Sequence, residues 1–576
     1  MKLVIAEKPS VAKSIANAIG AHKKTDAAFE GNGYIVSWCV GHLVCLAQPS
    51  AYSQQYEKWR IDDLPIVPEH YKYEVIKATK AQFNVLKALL ARSDIDSVIN
   101  ACDAGREGES IFRLVYLKAC CKKPMYRLWI SSMEDSAIRN GFDNLCPGSR
   151  YDNLFAAACA RNIADWLVGM NLSRLYSCKY KQVFSVGRVQ TPTLALIAAR
   201  DKAIKSFQPE KYYTVCIKTD AFNLVSERIN DKAQAELIVS HLCKQKDCVL
   251  DSVSRKEKIT PPAQLYDLTT LQREANKIYG FSAKKTLDAL QALYEKKLTS
   301  YPRTDSRYLT NDMKDTARKL LYALDPAFVP DEKNFLKMFD SSKVSDHYAV
   351  IPTLDATKKD INKLSVSDIE KKVYTLVKAK FLAAASGSLV EDITTLKLTF
   401  EGITFTQTAK KVRLAGWTKY TIKSKDKNAA TFNDDIATDV KYHINGVRLE
   451  DKYTTAPAAF NENSLLHAME IAGSDALDKN VDVERKGIGT PATRASIIEN
   501  LISKGFVTRE KKALHVTTKG ITLLCAVDTA FKSARLTALW ETKLSEIAQG
   551  TYSTEAFLEK LTSKLDEVIQ KERAAT

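Results

Sequence analysis

Twice before residue 110, an apolar run of strand length ends on a carboxylate and turns directly into a helix-forming segment. KLVIAE at 2–7 leads into SVAKSIANAIG, with Ser10 as the expected N-cap and Gly20 as the expected stop. TKAQFNVLKALLAR at 79–92 has helical period, IDSVINACD at 95–103 reads as a buried strand, and GREGESIFRLV turns into the next helix. This alternation specifies an open α/β sheet, which binds ligands at the carboxyl ends of its strands. Glu7 and the run Asp103 to Glu109 fall at those ends.

At 576 residues the chain exceeds what one hydrophobic core organises, so several domains are expected. Residues 1–150 form the α/β unit. Helical periodicity dominates 151–208, broken by the polar loop SVGRVQTPT at 185–193. YYTVCIKTD at 212–220 and FNLVSERI at 222–229 switch to strand-like alternation, a helical block follows from 262 to 385, and strand patterning returns at 393–412. The reading is an insertion: a strand-rich domain at 209–261 and 386–456 carries the inserted block 262–385. Residues 151–208 and 457–576 form a helical, winged-helix-like domain. Its signature is ATRASIIENLISKG at 492–505, the short strands FVTRE and ALHVT, and a helix after Thr518. Units of this pattern contact nucleic acid in many proteins and are purely structural in many others. Lys423 to Lys427 is the clearest polar loop.

Lys and Arg number 85 against 68 Asp and Glu, a net charge of +17, which attracts polyanions or serves solubility equally well. The twelve cysteines lack the paired CxxC spacing of a structural zinc module, so zinc is not expected. Glu7 and Lys8 interrupt the N-terminal apolar run, and no later run reaches membrane-spanning length. A reduced, cytosolic protein with buried free thiols is expected, with no membrane partner.

The chemistry concentrates in two runs, ACDAGREGES at 101–110 and TSYPRTDSRYL at 299–309. Glu7, Asp103 and Glu107, with Glu109 beside them, suit Mg²⁺, which takes one or two carboxylates and keeps its waters. Gly105 and Gly108 allow a phosphate near the backbone. Glu107 and Glu109 are explained equally well as acids favouring a helix N-terminus, whereas Asp103 and Glu7 are not. Tyr301 is one of 24 tyrosines, and a packed aromatic is the ordinary fate of such a residue. Its neighbours argue for a nucleophile. Arg303 can hold a phosphate through two hydrogen bonds, Pro302 restricts the backbone, and Thr304 and Asp305 can fix the turn.

Seven segments in order resemble one family: IAEKPSVAKSIA, CDAGREGES, ADWLVGMNLSR at 164–174, SVGRVQTPTLAL at 185–196, YPRTDS at 301–306, SDHYAVIPT at 345–353 and GIGTPATRASII at 487–498. They are similar to those of the bacterial DNA topoisomerase III family, of type IA. The resemblance implies a multidomain protein of α/β, α and β domains: an N-terminal Toprim (Rossmann-like) domain followed by a toroid with winged-helix-like elements. It implies a tyrosine that cuts one DNA strand and keeps its 5′ phosphate, with Mg²⁺ and without ATP. Relaxation of negative supercoils and decatenation would follow.

Carried over by position, Tyr301 is the nucleophile, Arg303 its phosphate-stabilising neighbour, Glu7 and Asp103 metal-site acids with Glu107, Lys8 the cation at the scissile phosphate, and His347 a phosphate ligand. Ser185, Val186, Gly187, Arg188, Val189, Gln190 and Thr191 would line a single-strand groove. A capped helix start explains that loop equally well. Arg161, Arg174 and Arg494 are further DNA-contact candidates, and packing is the alternative for Arg494. Implied partners are single-stranded DNA and negatively supercoiled or catenated duplex DNA, with a helicase as candidate protein partner and a bacterial, nucleoid-associated cytoplasmic location. One departure stands out: Asp-x-Asp-x-Glu is the common Toprim pattern, and here Gly105 replaces the second Asp. Another Toprim enzyme, a nuclease or primase, would share the acids but have no use for Tyr301. No GxxxxGK[ST] phosphate loop is present, in keeping with ATP independence.

Overall fold

The structure, a computed structural model, describes residues 1–344, 347–361, 364–422, 432, 435–473 and 487–574. The expected loop Lys423–Lys427, and Ser345 and Asp346 of the SDHYAVIPT run, lie outside the described residues.

Four parallel strands form the heart of the N-terminal sheet. Lys2–Ala6 lies between Tyr34–Trp38 and Ser97–Ala101, and Met125–Arg127 pairs with the outer edge of the last. Leu3, Val4, Ile5 and Ala6 are fully buried, as a parallel strand covered on both faces requires. Because the chain leaves Lys2–Ala6 for one neighbour and returns on its other side, the strand ends open a crevice, and Glu7 and Asp103 stand in it. Helix Pro9–Ile19 starts two residues earlier than expected: Pro9 occupies its first turn, Lys8 takes the cap position, and Gly20 closes it at φ 81°. Ser10 is therefore inside the helix rather than its cap.

A second sheet, seven-stranded among the described residues, is antiparallel and is made of Lys211–Thr219, Asn223–Ser226, Asp247–Cys248 and Ser252–Thr260 together with Leu389–Phe400, Ile403–Leu414 and Tyr442–Tyr453. The long hairpin 389–414 turns at Glu401-Gly402, both at positive φ (48° and 81°), the two-residue geometry whose twist matches the strands. Helix Lys232–Leu242, which strand alternation on either side concealed, packs Ala235, Ile238 and Leu242 against Val215 and Ile217. Between the two strand groups lie helices including Leu268–Tyr279, Ala283–Glu295 and Asp368–Ala384, and the Tyr301 turn follows the second of them.

In the C-terminal part, helix Pro491–Ser503, strands Val507–Glu510 and Ala513–Val516, and helix Thr518–Ala526 follow the winged-helix order. Phe460–Asn461 adds a third strand. These pack with the 29-residue helix Asp152–Tyr180 around Leu167, Leu172, Leu501, Leu544 and Leu565. The twelve cysteines are free. Cys39, Cys102 and Cys248 are buried, but Cys120, Cys243 and Cys525 are exposed, which corrects the expectation of buried thiols. Cys120, for one, sits at φ 55° just past the surface end of helix Arg106–Lys118. Among the described residues no helix is long and apolar enough to cross a membrane.

Candidate active site

Glu7 and Asp103 leave adjacent strands and converge, with the Asp103 backbone N–H donating to Glu7 Oε2 at 3.3 Å. Glu7 is 3% and Asp103 8% exposed. Burial first, and the Asp103 charge second, push Glu7 up to about 7, while Arg303 and Lys8 pull in the other direction. Gly108 makes the acidic turn possible, since a Cβ there would lie 2.0 Å from the Asp103 carbonyl oxygen. Gly105, by contrast, is extended and open, with nothing within 4 Å of a Cβ.

The remaining acids of the run face elsewhere. Glu107 pairs with His42 Nε2 at 2.6 Å on the surface, and that contact holds its carboxyl below the usual range. Glu109 is buried, hydrogen-bonded to Arg113 (2.7 Å) and Asn100 (2.9 Å) and ion-paired with Arg127 (3.1 Å). Among the described residues no group of three or more potential ligands converges. Two buried carboxylates repelling one another nonetheless fit a cation that keeps most of its waters, so the donor set matches Mg²⁺.

Tyr301 comes to this crevice from the far side. Its hydroxyl donates to Asp103 Oδ2 at 3.3 Å, across 198 residues of sequence, and its backbone N–H donates to the Ser131 carbonyl at 3.1 Å. Tyr294 meets the ring edge-on at 5.4 Å, and His347 lies over it at 4.1 Å. Burial, then Asp103, raise the phenol well above its usual range, and Arg303 opposes them. Arg303 faces Tyr301, Glu7 and Asp103, and its Nε is buried without a hydrogen-bond partner. A buried, unsatisfied guanidinium nitrogen is costly unless an anion completes it. Thr304 fixes the turn by donating to the His347 carbonyl at 2.9 Å and accepting from the Ser306 N–H.

His347 is held on both nitrogens: Nε2 with the Ala104 carbonyl, Nδ1 with Ser131 Oγ at 2.8 Å. The carbonyl can only accept, so Nε2 carries the proton and the serine donates to Nδ1. Burial pushes the imidazole down to about 4, so it is neutral here, and a phosphate would have to displace one of these partners. Lys8 is engaged with Glu295 Oε1 at 3.4 Å, and Ser10 donates to the other oxygen of Glu295 at 2.9 Å.

The groove candidates are placed unequally. Val186 and Thr191 are buried, Thr191 Oγ1 accepts from the Gly187 N–H at 3.2 Å, and Val189 is half-buried. Arg188 is buried between Asp165 (2.8 Å) and Glu541 (2.7 Å), and Arg161 pairs with the same Glu541. Arg174 donates to the Tyr56 carbonyl at 2.8 Å and covers the Trp59 ring, while Arg494 donates to the Ile488 carbonyl and to Thr269. Each of these four guanidiniums thus has a protein partner, while Arg161 Nε and Arg174 Nε are buried without one. Ser185 and Gln190 instead bond Lys504 Nζ at 2.7 and 3.2 Å, a cation without a carboxylate beside it in that contact. Sequence reasoning missed Lys504, Ser131, His42 and Glu295. Lys504 sits in the SKG turn of the winged-helix pattern, a signal that was present, whereas Ser131 carried none.

Residues 149–559 match the family described as DNA topoisomerase, and residues 2–133 match the Toprim domain. The chain belongs to the DNA topoisomerase family, type IA, and is an isomerase. Within it, the chain is similar to the protein named DNA topoisomerase 3 of Shouchella clausii (strain KSM-K16), 40% identical over 599 residues covering 100% of this chain and 82% of that one. DNA topoisomerase 3 of Bacillus cereus (strain ATCC 14579) is 40% identical, covering 98% and 81%. The fold is also that of full-length topoisomerase I from Thermotoga maritima, with a TM-score of 0.77 at 23% identity over 98% of this chain and 90% of that one.

Proposed function

We propose that Tyr301 is the nucleophile of a single-strand breakage and rejoining reaction on DNA. Its oxygen attacks a backbone phosphorus, the bond to the 3′ oxygen of the upstream nucleotide breaks, and the downstream 5′ phosphate stays on the tyrosine. The observation that carries this reading is the meeting of the Tyr301 hydroxyl with Asp103 beside Glu7 and the unsatisfied Arg303. Asp103 Oδ2 already accepts the phenolic hydrogen bond and is placed to take the proton. Arg303 supplies the donors a phosphate's equatorial oxygens need, and Lys8, once released from Glu295, is the acid for the leaving oxygen. Mg²⁺ would be held by Glu7 and Asp103, with Glu107 joining on leaving His42, and when bound it neutralises charge gathering on the phosphate.

The phosphotyrosyl bond conserves the energy of the broken one, so rejoining needs no ATP, and supercoil strain drives relaxation. Separation of the block 262–385 from residues 1–150, on the strand-rich domain 209–261 and 386–456, would admit a second strand. Ser185, Gln190 and Lys504 offer the groove's available polar surface for the cut strand. Decatenation and relaxation, supercoiled or catenated DNA as substrate, a helicase partner and a nucleoid location in the cytoplasm belong to this reading.

The test is trapping on a single-stranded oligonucleotide labelled at its 3′ end, with peptide mapping. The label should appear on the Tyr301 peptide as a 5′ phosphodiester, and Tyr301→Phe should yield no covalent species. A labelled covalent complex that survives this substitution would overturn the assignment.

A further inference from the structure

The short segment 127–131 of the Toprim domain touches both halves of the site, the acidic turn and the tyrosine turn. Arg127 is fully buried and donates to the carbonyls of Asn100 (3.1 Å), Cys102 (2.7 Å) and Asp103 (2.7 Å), the backbone that carries the metal-site acid. Two residues on, Trp129 lies parallel to the His347 ring at 6.2 Å and has the Arg127 guanidinium over its own ring at 5.1 Å. Two further on, Ser131 bonds His347 through its hydroxyl and Tyr301 through its carbonyl.

Alternation explains how so few residues do this. Met125–Arg127 is a strand, and beyond it Leu128 and Ile130 both approach Gly141 while Arg127, Trp129 and Ser131 make the contacts to the site. We infer that Ser131 and Trp129 are positioning residues that set the nucleophile against the acidic turn whenever the tyrosine block closes on the Toprim domain. The inference rests on Tyr301 being the nucleophile. Neither residue is required to touch DNA. Their action passes through His347, whose ring has Trp129 parallel to it at 6.2 Å, itself stacked on Tyr151 at 5.0 Å, and Ser131 on its edge, and which in turn lies on the Tyr301 ring. An error of about 1 Å in such a setting can cost ~100-fold in rate.

The experiment uses the full chain with a single-stranded oligonucleotide, measuring affinity without metal by anisotropy and the single-turnover rate of covalent-complex formation with Mg²⁺ at saturating oligonucleotide. Ser131→Ala and Trp129→Leu should each slow the rate at least ~10-fold with the dissociation constant unchanged, and Ser131→Thr, which keeps the hydroxyl, should restore it. Wild-type rates in both Ser131→Ala and Trp129→Leu overturn the inference, as does a loss confined to affinity or a loss in Ser131→Ala that Ser131→Thr does not rescue. Tyr301→Phe, run in parallel, separates the two ideas: a covalent complex in that variant sinks the nucleophile assignment, whereas its absence beside unaffected Ser131 and Trp129 variants sinks only the positioning role.

Discussion

Replacing Glu7 by glutamine should make the protein more stable at alkaline pH while impairing its chemistry. Glu7 ionises in the folded protein at about 7, against an ordinary value of 4.5. Between these pH values the folded state holds a proton the unfolded chain has released, so stability falls as pH rises from 4.5 through 7, and the penalty is complete above that range. The interval of roughly 2.5 units corresponds to about 3 kcal/mol at 1.36 kcal/mol per unit. Glutamine carries no charge at any of these pH values and escapes the penalty. Urea unfolding in chelator, followed by tryptophan fluorescence, should therefore show Glu7→Gln gaining on the wild type by up to about 3 kcal/mol between pH 5 and pH 8. Mg²⁺ at pH 8 should raise the wild-type midpoint more than that of the variant, because a cation offsets the repulsion between Glu7 and Asp103. An advantage of equal size at both pH values would refute the reasoning, since a neutral packing change has no pH slope.

The two glycines of the acidic turn should respond oppositely. Gly108→Ala forces a methyl to within 2.0 Å of the Asp103 carbonyl and should cut cleavage by about 100-fold in a single-turnover assay, with Gly105→Ala near wild type. Gly105→Asp, in open space on extended backbone, should fold normally and lower the Mg²⁺ concentration for half-maximal cleavage by roughly 10-fold, read from a metal titration. Glu295→Gln releases Lys8 from a pair only part-shielded from water, so stability should change by less than about 1 kcal/mol while single-strand affinity rises and its salt dependence steepens.

The sequence made the elements of the site legible where a local rule fixes them. Strands ending in Glu7 and Asp103 announce themselves by continuous burial followed by a carboxylate, and Gly20 and Gly108 by conformational or steric need. What it left hidden are contacts made across more than a hundred residues. Nothing in ATRASII says that Arg494 ends on Thr269, 225 residues earlier, or in SVGRVQ that Arg188 is neutralised by Glu541, 353 residues later. An arginine in such a segment reads as a phosphate contact until its protein partner is found, and these two partners lie in other parts of the chain. The same limit concealed helix Lys232–Leu242, whose apolar face is complementary to a sheet that the chain completes only at Tyr453.

The strengths of the contacts at the closed gate bear on how it could open. Tyr301 is 5% exposed, so no phosphodiester reaches its oxygen unless the block carrying it first moves from the Toprim face. The contacts opposing that movement include Lys8–Glu295 and Lys297–Asp135, both part-exposed pairs of the kind worth about 0–1 kcal/mol each, and a few hydrogen bonds at Ser131 and Glu134. The interior of the Toprim domain is held by a different class of interaction, with Glu109 and Arg127 buried as a pair whose rupture costs roughly 3–5 kcal/mol. The ion pairs between the halves are thus weaker than those inside the Toprim domain, but Tyr294 and Tyr301 are buried in its apolar cluster and His347 bonds the Ala104 carbonyl, so opening must also expose these side chains. On the proposed mechanism phosphates would also compete directly for Lys8, so the ligand that needs the gate open would weaken one of the contacts that keeps it shut.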